Sequence, residues 1–181
     1  SMNAVYPYRK TKFVSYTITS GSSSFYKDQI FGDTRLPKFI LVTFQKASQY
    51  SGNYNEDIST YQHFNVSSIT LSRNTDYREN YTQDFPNNNY ITTYVSSMIR
   101  NMGHLDRNLN SGITATNFKS TYPFFTFVLA PDFDIYQTQL QKQGNLRIDI
   151  KFEAATESIN LLVYGVFDAD VQINKNRTIL L

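Results

Sequence analysis

Between Gly144 and Asn174 the side chains alternate. Leu146, Ile148, Ile150 and Phe152 hold one parity, while Arg147, Asp149 and Lys151 hold the other. After a polar break at 154–158, Ile159, Leu161, Val163, Phe167, Val171 and Ile173 again share one parity. A β-strand sends successive side chains to opposite faces, so each run is a strand with one apolar face. The break is short enough to predict that the two strands fold back as an antiparallel pair, forming the floor of a β-sandwich.

The rest of the chain supplies further strands. Val14, Tyr16 and Ile18 alternate with Ser15, Thr17 and Thr19, which predicts a half-buried strand over 13–19, followed by a loop at 25–35. The run 36–44 is apolar on both parities and reads as a central strand covered on both sides. A polar loop, 45–62, follows it. Over 64–72 the phase slips, with Phe64 and Val66 even but Ile69 and Leu71 odd, which predicts a β-bulge at Ser67-Ser68. A short strand is expected near 77–81, and another, buried on both sides, at 122–129. The stretches 104–121 and 132–143 read as loops, the second with a helical turn at 136–140.

One segment has a different period. Ile91, Tyr94, Val95, Met98, Ile99 and Met102 follow helical spacing, so an amphipathic helix is expected over about 90–102. Asn88 or Asn89 would cap its start and Gly103 its end. Irregular strand spacing with long connections favours an all-β antiparallel sandwich of jelly-roll type, with about eight strands and this one helix. The domain proper is expected at 13–174, after a lead-in at 1–12 and before a tail at 175–181.

Composition limits the chemistry. The chain has 181 residues, 14 Phe, 14 Tyr and no Cys. That length fits one domain burying roughly 70% of its unfolded surface, and the aromatic content suits β structure rather than disorder. Without cysteine there is neither a disulfide framework nor a thiolate site, as fits a reducing compartment. A net charge of +2 with scattered Lys and Arg is too small for a duplex-binding surface. The longest unbroken apolar run, 39–42, is far too short to span a membrane. No signal-peptide pattern opens the chain. Ser1 before Met2 reads as a remnant of tag removal, so a piece of a longer protein is expected.

Candidate chemistry is sparse. His63 and His104 lack neighbours at metal-ligand spacing, and no phosphate-binding or nucleophile-elbow motif occurs. Asp168 and Asp170 share a strand face and could form a carboxylate pair. A solvated outer face, or pairing with Arg147 or Lys151, is the better reading. Asp132 and Asp134 flank a turn after Pro131. The aromatic and basic residues of 6–12 suit a linker on a sheet edge better than a single-strand binder. Tyr50, Tyr54 and Tyr61 dot the 45–62 loop as possible subunit or ligand contacts. Sequons begin at Asn65, Asn80 and Asn176, and Asn65 falls inside an expected strand. No catalytic, cofactor-binding or metal-binding residue is assigned.

Seven segments occur in a telling order: Tyr6-Pro7-Tyr8-Arg9, Ile30-Phe31-Gly32, Leu36-Pro37-Lys38, His63 to Ile69, Gly144-Asn145-Leu146-Arg147, Val163-Tyr164 and Asp170-Val171-Gln172-Ile173. Together they resemble the C-terminal part of the hexon-type capsid proteins of Polintons, also called Mavericks, and of the related adintoviruses. These are virus-like DNA elements integrated in animal genomes. The helix and the loops 45–62 and 73–89 lie outside the matched motifs.

The resemblance implies a double jelly-roll major capsid protein of which this chain is the downstream jelly roll. It implies a homotrimeric capsomer, contacts with neighbouring capsid proteins, and a place in the virion shell after assembly in the host cytoplasm or nucleus. It implies no enzyme activity, cofactor, specific nucleic-acid binding or membrane partner. The alternative kept beside it is a ligand-binding jelly-roll module, such as a lectin-like carbohydrate-binding domain.

Overall fold

In the computed structural model, residues 4–32, 34–74, 77–101, 112–129, 143–154, 157–174, 176–177 and 179–180 are described. The expected helical turn at 136–140, the helix end at Met102 and Gly103, and His104, Asp132 and Asp134 lie outside them. The strands are β1 (Ala4–Ile18), β2 (Ser24–Lys27), β3 (Phe39–Lys46), β4 (Val66–Arg73) and β5 (Tyr77–Thr82), then β6 (Phe125–Val128), β7 (Leu146–Phe152), β8 (Ile159–Ile173) and β9 (Ile179–Leu180). One sheet runs β1-β8-β3-β6, with β9 added beside β8, and the other runs β2-β7-β4-β5.

The pairing is nested. β1 pairs with β8, β2 with β7, β3 with β6 and β4 with β5, all antiparallel. The chain is thus a long hairpin, rolled until β8 meets β3 and β7 meets β4. That is the jelly-roll arrangement of an all-β sandwich. Phe44 of β3 meets Phe152 of β7 across the layers with ring centroids 5.7 Å apart, and Tyr81 of β5 meets Phe127 of β6 at 4.8 Å. Ile40, Val42, Ile69, Leu71, Ile148, Leu161 and Val163 fill the space between and are fully buried. Each such side chain contributes about 1.5–3 kcal/mol of transfer free energy.

The inward parity of β7 is the expected one, but β7 and β8 do not form a hairpin. They belong to opposite sheets, because both edges of each are already taken: β2 and β4 flank β7, while β1 and β3 flank β8. The break after Phe152 therefore carries the chain across the sandwich. In β4 the expected slip is present, as a register shift between Val66 and Ser68 that leaves Ser67 as the extra residue.

β1 starts at Ala4, well before the expected strand, and pairs with β8 along its whole length. The expected loop at 25–35 holds the start of the second sheet, since β2 pairs Phe25 with Ile150.

β3 is a central strand covered on both faces, as expected, and its outer cover comes from the following loop. A short helix, α1 (Ala47–Tyr50), begins that loop, and Ala47 donates its N–H to the Ser158 carbonyl at 3.1 Å. Gln45 donates to the Ile58 carbonyl at 2.7 Å, and Gln49 to the Asp57 carbonyl and the Thr60 hydroxyl. Leu162 and Asn160, on the outer parity of β8, are buried as well.

Candidate interaction surface and ligand cleft

The helical segment forms, but with a different geometry and a different buried face. A turn of α-helix, α2 (Ile91–Tyr94), continues as π-helix over Val95–Asn101. Its buried residues are Thr93, Ser97, Met98 and Asn101, while Ile91, Val95 and Ile99 are 50%, 43% and 58% exposed. A helix bonded i to i+5 winds wider than 3.6 residues per turn, so the spacing that groups the apolar positions in an ideal helix does not hold here. The start is not capped by an asparagine side chain. Tyr90 is the cap residue, Asn89 exchanges backbone hydrogen bonds with Asp84, and Asn88 adopts φ 59°.

The polar face is inward because it serves an edge strand. β6 ends its sheet, so Thr126 turns its main-chain groups away from β3. The Thr126 N–H donates to Ser97 Oγ, and its carbonyl accepts from Asn101 Nδ2 at 2.6 Å and Tyr81 Oη at 2.7 Å. Burial, and next the nearby Glu79 charge, push the Tyr81 phenol well above its ordinary pKa. The result is a sealed sheet edge with an apolar row, Ile91, Val95 and Ile99, left on the outside.

The three loop tyrosines have separate surroundings. Tyr50 shares a hydrogen bond of 3.0 Å with Ser15 on the outer face of β1. Tyr61 packs edge-on against Phe124 at 5.2 Å, and Tyr54 is fully exposed.

Asp168 and Asp170 do not act as a pair. Asp168 forms an ion pair of 2.5 Å with the buried Lys38, and Asp170 accepts from Gln172 at 2.8 Å. Arg147 and Lys151 are on the other sheet and cannot be their partners; Arg147 instead grips Asp149 through two hydrogen bonds of 2.8 and 2.7 Å. Asn65 is exposed, in the turn ahead of β4 rather than inside a strand. Among the described residues, no group of three or more His, Asp or Glu is placed to hold a metal ion, and no helix is long and apolar enough to cross a membrane.

A cleft of about 540 Å³ opens where the turn before β4, the start of α2 and a third helix, α3 (Ala115–Ser120), meet. The Thr114 hydroxyl caps α3 by accepting from the Asn117 N–H, a signal overlooked in the asparagine-rich stretch, and Phe118 anchors it with no exposed surface. Lys119 of α3 reaches into the cleft. Its ammonium donates to Asn88 Oδ1 at 2.5 Å and lies 5.6 Å from the centre of the Tyr90 ring. His63 stacks on Phe85 with centroids 3.8 Å apart, and its Nδ1 accepts from the Asn65 N–H at 2.9 Å. Burial, and next the Lys119 charge, pull its pKa down to about 4, so the ring is neutral with its proton on Nε2.

The fold and its surfaces define an antiparallel jelly-roll domain with a sealed edge, an exposed apolar row and a polar cleft. No protein-family model and no curated protein matches the chain. Among solved structures it is similar to a chain of the Sputnik virophage determined by electron cryomicroscopy, with a TM-score of 0.53 and 12% identity. That likeness covers 98% of this chain and 38% of the virophage chain. It is also similar to PBCV-1 VP54 fitted into a Sputnik reconstruction, with a TM-score of 0.48, 10% identity and coverage of 99% and 52%. The mavirus major capsid protein follows with a TM-score of 0.40, 13% identity and coverage of 98% and 41%. At such identities what is shared is the fold, and the chain spans well under two thirds of the virophage chain.

Proposed function

We propose that this chain is a structural jelly-roll domain of a capsid protein of a virus or virus-like element, acting by self-association and not by catalysis. The observation that carries this reading is the nested eight-strand roll, a fold shared over 98% of the chain with part of a virophage chain. The motif resemblance in the sequence leads to the same group of viral proteins. In the longer protein a second jelly roll completes the subunit, three subunits form the capsomer, and capsomers build an icosahedral shell inside the host cell. The partners are copies of itself and neighbouring capsid proteins.

The exposed row Ile91, Val95 and Ile99 supplies the kind of apolar anchor that subunit contacts use. Tyr54 and Tyr50 supply aromatic contacts from the loop over the outer face of β3 and β8. Neighbouring subunits would bury about 1,200–2,000 Å² per contact.

Expression of the full-length protein, followed by mass measurement and electron microscopy, tests the reading. Trimers and shells are expected, and Val95→Asp with Ile99→Asp should abolish them without changing the melting temperature of the isolated domain. A full-length protein that stays monomeric under all conditions would sink it.

A further inference from the structure

We propose that the cleft between His63, Tyr90 and Lys119 binds an acidic saccharide, a sugar unit bearing a carboxylate, with that carboxylate at the Lys119 ammonium. The site goes beyond the assembly reading and does not depend on it.

Charge comes first. Lys119 is half-buried, and among the described residues no acidic side chain lines the cleft. Its one hydrogen-bond partner among the described residues, Asn88 Oδ1, is neutral and takes one of three ammonium protons. A partly desolvated cation without a counter-charge favours an anion, and a single cation matches a monovalent carboxylate. The Tyr90 ring and Asn88 hold the ammonium in place, so little side-chain freedom is lost on binding.

The remaining groups suit sugar hydroxyls. Gln62 and Asn65 carry amides that both donate and accept, and Thr116 adds a hydroxyl. Because His63 Nδ1 already accepts from the Asn65 backbone, its Nε2–H is the ring's remaining donor. The volume, about 540 Å³, falls in the range of small-molecule sites and exceeds what one acidic side chain of a neighbouring subunit would fill.

The wall is held in an unusual conformation. Phe64 and Asn65, consecutive non-glycine residues, sit at φ 46° and 50°. Hydrogen bonds from Val66 N–H to the His63 carbonyl and from Glu153 N–H to the Asn65 carbonyl fix that turn. Such outliers persist where the surroundings over-determine them, and they concentrate at ligand sites.

The test is a titration of this chain, followed by NMR and calorimetry, with N-acetylneuraminic acid and glucuronic acid as probes and galactose and acetate as controls. Saturable binding of at least one acidic sugar is expected, with shifts at His63 and Lys119, while galactose and acetate bind far more weakly. Lys119→Met should weaken binding about 10- to 100-fold, the usual cost of losing a charged hydrogen bond, and Lys119→Arg should retain most of it. Gln62→Ala should weaken binding with an unchanged melting temperature, which separates loss of the site from loss of the fold. Absence of binding by both acidic sugars, equal binding of acetate or galactose, or full binding by a folded Lys119→Met variant would overturn the proposal. None of these outcomes bears on trimer or shell formation.

Discussion

Ser97 and Thr126 exchange two hydrogen bonds: the Thr126 N–H donates to Ser97 Oγ at 3.3 Å, and the Thr126 hydroxyl donates to the Ser97 carbonyl at 2.6 Å. Both residues are fully buried. This exchange docks the helical segment on the open edge of β6 and turns its apolar row outward. Thr126→Val keeps the shape but removes the hydroxyl's hydrogen bond to the Ser97 carbonyl, at an expected cost of about 0.5–1.5 kcal/mol. Thermal and urea unfolding measure it. A variant as stable as the parent would show that the edge is sealed by other groups.

Gly165 makes room for Phe31. A Cβ at Gly165 would stand 2.5 Å from Phe31 Cζ and 3.0 Å from the Phe167 ring, and these two rings meet edge to face at 5.2 Å. Phe31 cannot slide aside freely, because the Lys12 ammonium donates to its carbonyl and Lys12 is the cross-strand partner of Gly165. Gly165→Ala should therefore destabilise the domain by about 1–3 kcal/mol through overpacking. Adding Phe31→Leu should recover part of the loss, and strict additivity in the double-mutant cycle would refute the contact.

Much of the fold was legible because one-sided burial writes itself as alternation. Leu146, Ile148, Ile150 and Phe152 face inward as their parity requires, and the Val66–Ile69 phase slip marks a real bulge. Partnership was not legible. Parity says which face of β7 and β8 is buried but not which strand lies beside each, and a short connection serves a sheet crossing as well as a hairpin. The helix failed for a related reason. Ser97 and Asn101 are buried because an edge strand needs their hydrogen bonds, a demand that hydrophobic periodicity does not register. The cleft had no signal either: Gln62, His63, Tyr90 and Lys119 come together only after β4, α2 and α3 are placed.

The outer face of β3 carries a correctable flaw. Thr43 is 3% exposed, and its hydroxyl has no hydrogen-bond partner among the described residues. Threonine to valine nearly preserves shape, removes the unsatisfied group and suits a strand. Thr43→Val should raise stability by about 1–3 kcal/mol, seen as a melting temperature several degrees higher. A lower value would mean that the hydroxyl is satisfied in solution.

His63 should make the domain acid-sensitive in a defined window. Its pKa falls from 6.5 to about 4 on folding, first because the ring is buried and then because Lys119 is close. Between those values the unfolded chain takes up a proton that the folded protein refuses, so protonation drains the equilibrium toward the unfolded state. This contribution is fully present above pH 6.5 and is lost as the pH falls toward 4. Melting temperatures measured across that window should decline, and His63→Gln, which cannot titrate, should flatten the decline. NMR titration of the His63 ring gives the direct check, with a midpoint near 4 expected. A midpoint at the ordinary histidine value would mean that the ring is solvated and that its stack on Phe85 does not persist. An anion bound at Lys119 would offset the charge that disfavours the imidazolium, so a saturating acidic saccharide should move this midpoint upward.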